Sequence, residues 1–469
     1  MMKKYLIYIG ILSTLLTSCD NYVDIQTEGK LIPEETVNYR YLLQGASTFN
    51  KTYGLIDVAS DDIVMRDDHA AYFDKNFSGS AYYRPYVQTY KWADEIAPVG
   101  EPDYNVNSMY AELYTCNVII NEVMTSKNGT DAERLAIKGE AQVHRADIFL
   151  TLVNVFGKAY DPATAGTDLG IPLLTTPTVT ANITRASVKE VFDVIVKDLT
   201  EATQSGLKPV QTGRNIWFPS RASAYALLAR AYLYMGNYEL AKQNAESSLA
   251  LQNTLMNLED YESFGDYGWP RMFQDTENIL VKESSSYMYS PMVLSLSDEL
   301  LNSFDTKDLR YQLYTRSLSV MTYGTLTQGR AFSKELLSGD GRNAGPTVPE
   351  MYVIKAECEA RAGNAGAAMT TINTLRKKRF KAADYTDLTA VDANDALIKV
   401  LAERRKELMG RGGFRWADLK RLNKDPRFAK TITHKYLDQS FSIEPNGNRY
   451  QFPFAAIYFD YAPDLQQNP

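Results

Sequence analysis

Between Asp57 and Pro102 the chain gathers acidic and aromatic side chains with no helical or strand period, among them Asp61, Asp62, Arg66, Asp67, Asp68, Tyr72, Tyr83 and Trp92. Residues of these types can do two kinds of chemistry. Tyr and Trp rings offer a flat apolar face and a polar tip. A sugar ring or an extended peptide can lie on such a face while polar neighbours take its hydrogen bonds. The expected platform is Trp92, Tyr72 and Tyr83, joined by Trp269, Tyr287 and Tyr289 from a second irregular stretch. Arg66, Asp67 and Asp68 are the expected polar contacts. The competing reading for each ring is burial between insertion and scaffold. Asp61, Asp62, Asp67 and Asp68 are also the candidates for a Ca²⁺ site, which needs six or more converging oxygens. No other cofactor is expected.

The sequence speaks against several catalytic classes. It contains no Gly-x-Ser-x-Gly elbow and no His-Glu-x-x-His. The glycines at 339, 341 and 345 fit no phosphate loop, and no Lys-Ser/Thr pair follows them. His69, His144 and His434 are isolated from one another and from any cysteine pair, which argues against zinc. Cys116 and Cys358 sit in apolar helical patterns and are expected as buried free thiols, with a disulfide between them left open. Carboxylates are abundant, so a glycosidase pair stays open, because it depends on separation in space. The net charge of −7 becomes two units more negative once Lys3 and Lys4 leave with a leader. A nucleic-acid partner would need a basic stripe instead. Arg404, Arg405, Lys406 and Arg411 do cluster, but Glu403 and Glu407 interleave with them, which reads as a solvated helix face.

The elements that must carry these residues are helices. Residues 219–251 read as a helix hairpin: Tyr225, Leu228, Ala229, Tyr232 and Leu233 share one face. Gly236 and Asn237 break the run, and Tyr238, Ala241, Ala245 and Leu249 restart it. Small residues at 229 and 241 let two helix axes approach, which is the physical content of the tetratricopeptide pattern. A second copy begins near Val348, where Tyr352, Ala356, Gly363, Ala368 and Ile372 repeat the offsets. Further helical runs start near Asn107, Thr130, Asp395 and the capping box Ser187-Val188-Lys189-Glu190. Residues 159–185 carry five Pro or Gly and read as loop. The expected fold is mostly α: an irregular helical bundle on interrupted tetratricopeptide-like pairs, with loop-rich insertions forming the ligand face. Repeat helices are expected at roughly 107–251 and 348–380, and insertions at roughly 57–106 and 252–347, within a single domain spanning 34–469.

Residues 1–18 read as a signal peptide: two lysines, a short apolar run, then Leu16-Thr17-Ser18 before Cys19. This is the pattern of a bacterial lipoprotein leader, with Cys19 as the lipidated residue and 19–33 as a tether. Together with ADIFLTLVNVFG from Ala146, Phe304-Asp305 with Asp308 and Arg310, and Pro349-Glu350-Met351-Tyr352, the chain resembles the SusD/RagB family of outer-membrane nutrient-binding lipoproteins of Bacteroidetes. Glu403 to Leu408, Arg415 to Leu419 and Gln467-Asn468-Pro469 extend the resemblance over nearly the whole mature chain. Gly412 and Gly413 stand where the family has Glu-Gly, and Phe452-Pro453 where it has Pro-Ile-Pro. The resemblance implies a non-enzymatic surface lipoprotein, anchored by lipid on the exterior of the outer membrane. It would capture an oligosaccharide for a SusC-like TonB-dependent transporter. A peptide ligand on the same scaffold, or a surface glycan hydrolase, are the alternatives.

Overall fold

The computed structural model describes residues 33–45, 49, 51–178, 182–267, 269–283, 295–334 and 340–469. Cys19, Tyr287 and Tyr289 lie outside them.

The chain opens with α1 (Thr36–Leu43) and enters the first insertion. That insertion is more regular than its sequence suggests, since it holds α2 (Asp67–Phe77) and α3 (Arg84–Tyr90). Both are short and aromatic-rich, so their period is hard to see in sequence. The scaffold follows: α4 (Tyr104–Glu122), α5 (Asp131–Phe156), α6 (Val188–Thr203), α7 (Arg221–Tyr234) and α8 (Tyr238–Leu251). Each packs on the next. The expected capping box opens α6, with Ser187 Oγ accepting from the Glu190 amide at 3.2 Å and the Ser187 amide donating to Glu190 at 2.8 Å. Among its described residues the 159–185 loop carries β1 (Leu169–Pro172), which pairs with β2 (Arg185–Ser187) at the loop's end.

The second insertion carries α9 (Asp298–Asn302), α10 (Leu309–Leu313), α11 (Leu318–Met321) and the antiparallel pair β3 (Thr315–Ser317) and β4 (Arg330–Phe332). Then come α12 (Val348–Arg361), α13 (Ala365–Arg376), α14 (Ala393–Glu407) and α15 (Phe414–Leu422). The hairpin β5 (Ile432–Tyr436) and β6 (Gln439–Ile443) and a final turn, α16 (Tyr458–Tyr461), complete the chain.

The two repeat hairpins turn in the same way. Gly236 and Gly363 hold φ of +75° and +84°, a conformation that costs glycine little. The next residues, Asn237 and Asn364, cap the second helix by accepting from the amides of Leu240 and Ala367. Although far apart in sequence, the hairpins are neighbours in space, because α8 packs against α12. Ala222, Ala226, Ala229, Ala241 and Ala245 interlock there with Met351, Ile354 and Cys358. The 252–347 insertion therefore leaves the helical stack uninterrupted. Cys116 and Cys358 are buried free thiols, as their surroundings suggested. No described helix is long and apolar enough to cross a membrane.

The basic cluster on α14 is a correction to the sequence reading. It is not a solvated face: Glu403, Arg404 and Glu407 are buried. Their partners come from distant segments, which a count of neighbours along one helix cannot reveal. Arg310 reaches Asp308 at 2.7 Å, Glu403 at 2.6 Å and Glu407 at 3.1 Å. Arg379 bridges Glu407 and Glu277, each at 2.8 Å. Arg404 pairs with Asp418 at 2.8 Å. Asp61 and Asp62 are likewise taken, by Arg415 and Arg405 at 2.7 Å each. Four cation-facing carboxylates were one reading of the first insertion; the structure gives Asp61 and Asp62 arginine partners instead. No cluster of metal-ligating side chains occurs among the described residues.

This network sets an acid limit on stability. Burial works to raise Glu403, but Arg310 and Lys406 outweigh it and bring its pKa to about 2. Glu407 is held at about 2 in the same way, by Arg379 and Arg310 against burial. Both folded values lie below the ordinary carboxylate value, so the unfolded chain binds more protons. The stabilisation is complete above about 4.5 and is lost as pH falls towards 2. The urea midpoint is expected to drop between pH 4.5 and 2.5, with a shallower slope in Glu403→Gln. An identical slope in that variant would show that the network does not set the limit.

Candidate ligand-binding site

The structure brings some of the expected rings together and removes others from solvent. Trp92 is only 6% exposed. Its φ of +49° turns the ring inward at the end of α3, where its indole N–H donates to the Ala59 carbonyl at 3.1 Å. One face stacks on His434 at 4.2 Å, and Tyr90 stacks on the same imidazole at 4.1 Å. The three rings form a sandwich that clamps the β5–β6 hairpin to the first insertion. Trp269 is also buried, against Tyr261 and edge-on to Tyr314 at 5.6 Å, with the Lys334 ammonium 5.1 Å from its ring. Neither indole has a face to offer a ligand. Burial, the competing reading for these rings, applies to both.

Tyr72 and Tyr83 meet around Phe77, at 5.8 and 4.2 Å between ring centroids. Both are half-buried and pack beneath the surface. Arg66 is occupied in joining α2 to the second insertion: it donates to Ser295 Oγ at 2.7 Å and the Leu296 carbonyl at 3.1 Å, and pairs with Asp298. Asp68 accepts from the Thr327 amide at 3.1 Å, and exposed Asp67 pairs with Lys435 at 3.0 Å. These polar groups position loops and do not converge with the rings.

The exposed rings are their neighbours. Tyr82 lies edge-on against Tyr83 at 4.9 Å and is 47% exposed. Tyr104, the first residue of α4, is 69% exposed. Both line a surface cleft of about 270 Å³, whose floor is Leu55, Pro85, Tyr86 and Ile96 and whose rim is Glu101, Asp103 and Asn105.

Asp103 fixes this rim. As N-cap of α4 it accepts from the amides of Asn105 and Val106 at 2.9 and 3.2 Å. Its other carboxylate oxygen accepts from the Tyr53 hydroxyl at 2.6 Å. Its own amide donates to the Tyr458 hydroxyl at 3.1 Å, which in turn donates to Asn107 at 2.8 Å. Burial pushes the Asp103 pKa up against those hydrogen bonds. The Tyr104 hydroxyl donates to Glu101 at 2.6 Å, which orients the exposed ring and raises its pKa. Two exposed rings on one cleft, with a carboxylate and an amide in its lining, can stack on a sugar ring and bond its hydroxyls.

On the other side of the α4 N-terminus lies an apolar groove of about 250 Å³, lined by Val106, Tyr110, Leu174, Ile183, Tyr461 and Leu465 among others. In the second insertion, Tyr323 is fully exposed at a φ of +51°. Sequence reasoning passed over Tyr82, Tyr104 and Tyr461. For Tyr104 a signal was available: Pro98, Gly100 and Pro102 punctuate the chain before an Asp N-cap, which marks a turn and a helix start at the edge of the insertion.

Two family models match the chain: one described as "Starch-binding associating with outer membrane" over residues 24–233, and the SusD family model over residues 348–469. The chain belongs to the SusD family. Solved structures agree on the fold. A SusD superfamily protein from Bacteroides thetaiotaomicron superposes with a TM-score of 0.72 at 21% identity, covering 93% of this chain and 100% of that one. A putative sugar binding protein from Bacteroides vulgatus gives 0.69 at 18% identity, covering 94% and 99%. A SusD-like carbohydrate binding protein from the same organism gives 0.65 at 19%, covering 92% and 97%. A search of curated proteins finds no matching sequence. The SusD fold accounts for the mostly helical architecture, with the candidate cleft built where the first insertion meets α4.

Proposed function

We propose that this SusD-family protein captures an oligosaccharide at the cell surface in the cleft between Tyr82 and Tyr104. The observation that carries the reading is the pair of exposed rings on one cleft that Glu101 and Asn105 also line. Similar structures described as sugar or carbohydrate binding support it. At about 270 Å³ the cleft takes a short stretch of a chain that continues over the open surface. Binding, not hydrolysis, is favoured by the carboxylates present. A glycosidase needs two that face the scissile bond, whereas Asp103 is engaged by Tyr53 and two amides. In this reading the mature protein is lipid-anchored through Cys19 on the outer membrane. A SusC-like TonB-dependent transporter covers the apolar groove at Tyr461, which adjoins the cleft across α4 and so places bound sugar beside the partner.

Calorimetry against a panel of soluble oligosaccharides tests the reading. Tyr82→Ala and Tyr104→Ala are each expected to weaken binding about tenfold, ~1.4 kcal/mol, without lowering the melting temperature. Wild-type affinity in the double variant would place the ligand elsewhere. Heat from peptides and none from glycans would select the peptide alternative.

A further inference from the structure

The cleft that carries Tyr82 and Tyr104 has a chemical character beyond its two rings. Among the described residues that line it there is no Lys, Arg or His, while Glu101 and Asp103 bring two carboxylates. Arg84, next to Pro85 in the chain, is not part of the lining. Arg449 is engaged by Asp94, which precedes the floor residue Ile96.

Hydrogen-bond donors are scarce in the same lining. Pro85, Pro98 and Pro102 contribute carbonyls and no N–H. The Glu101 amide is spent on the Pro98 carbonyl at 3.0 Å, and the Asp103 amide on the Tyr458 hydroxyl. The Tyr104 hydroxyl donates to Glu101, so it meets a ligand as an acceptor. A helix N-terminus ordinarily draws an anion, and α4 starts here. That place is filled, because the Asp103 carboxylate takes the amides of Asn105 and Val106 at 2.9 and 3.2 Å.

Glu101 keeps spare accepting capacity. One of its oxygens accepts from Tyr104 at 2.6 Å, and the other has no hydrogen-bond partner among the described residues. No cation pairs with it among those residues either. A ligand in the cleft therefore meets a negative lining, rich in acceptors and poor in donors.

We infer that the cleft admits only glycans free of acidic groups, and that the Glu101 carboxylate enforces this selectivity. Sugar hydroxyls, and the ammonium of an amino sugar, can donate to Glu101. A uronate carboxylate or a sulfate ester brings acceptors alone and finds no cation to pair with. Like charges set against each other across an interface are a strong bar to the wrong partner. The exposed rings act in the same direction, since the face of a Tyr ring is negative and attracts cations. The inference rests on the proposed capture of sugar at Tyr82 and Tyr104 and narrows the class of glycan captured.

A glycan array tests it, displaying neutral, amino-bearing, uronate-bearing and sulfated oligosaccharides to the full-length mature protein. Signal is expected on neutral or amino-bearing probes, and is expected to be lost in the Tyr82→Ala/Tyr104→Ala variant. The ratio of acidic to neutral signal is expected to rise about tenfold in Glu101→Lys, and less in Glu101→Gln, which keeps an acceptor for the Tyr104 hydroxyl. Wild-type signal on uronate or sulfated probes that disappears in the double-tyrosine variant would overturn the selectivity while leaving sugar capture in the cleft intact. An unchanged ratio in both Glu101 variants would overturn the role given to that carboxylate. No signal on any probe, or signal indifferent to the loss of both tyrosines, would overturn sugar capture in this cleft and the inference with it.

Discussion

Arg310→Met is expected to destabilise the protein by about 3–5 kcal/mol, the range for breaking a buried ion pair by removing one partner. The guanidinium is fully enclosed and serves three carboxylates, Asp308, Glu403 and Glu407. Glu407 keeps Arg379 in the variant, and Glu403 keeps Lys406 at 3.0 Å. Asp308 then has only the Arg310 backbone amide as a partner among these groups, at 3.0 Å. The cost comes from buried charge left without compensation and not from lost attraction alone. Urea denaturation at pH 7 measures it, with circular dichroism to confirm that the helical content survives. A loss below 1 kcal/mol would mean that the carboxylates take up protons or water at little cost, and the network would not be the clamp between α10 and α14.

Trp92→Ala is expected to cost a similar amount, about 3–5 kcal/mol, while leaving sugar affinity in the folded fraction within twofold of wild type. The indole fills a buried site, stacks on His434 and bonds Ala59. Its removal opens a cavity between α3 and the β5–β6 hairpin. Paired denaturation and calorimetry separate the two roles. Small destabilisation with tenfold weaker binding would return Trp92 to the ligand platform and displace the Tyr82–Tyr104 cleft.

The contrast between Trp92 and Tyr104 shows why the site was only half legible. Sequence pointed to the stretch that lines the candidate cleft, since an acid- and Tyr-rich segment without period has no scaffold role to explain it. It could not rank the rings within that stretch. Trp92 is the larger and the more attractive candidate by type. Its direction depends on a left-handed backbone at one residue and on an imidazole supplied by His434, far along the chain. Tyr104 is exposed because it begins a helix whose cap is bonded by Tyr53 and Tyr458. None of those partners is near in sequence.

The α14 cluster carries the same lesson. Alternating Glu and Arg on one helix look alike whether they face water or the interior. Burial is decided by what packs above them, here Arg310, Arg379, Asp418 and the Asp61–Asp62 pair.

What the sequence determined by itself was the scaffold. The helices, their Gly-Asn turns and the Ser187 capping box arise from interactions within a few residues, so local pattern suffices to specify them. The joint order of motifs along the chain pointed to the SusD family for the same reason. Only the tertiary structure decided which aromatic rings reach solvent and which acids are neutralised by arginine. Those outcomes turn on burial and on pairing between segments hundreds of residues apart, and both are properties of the packed molecule.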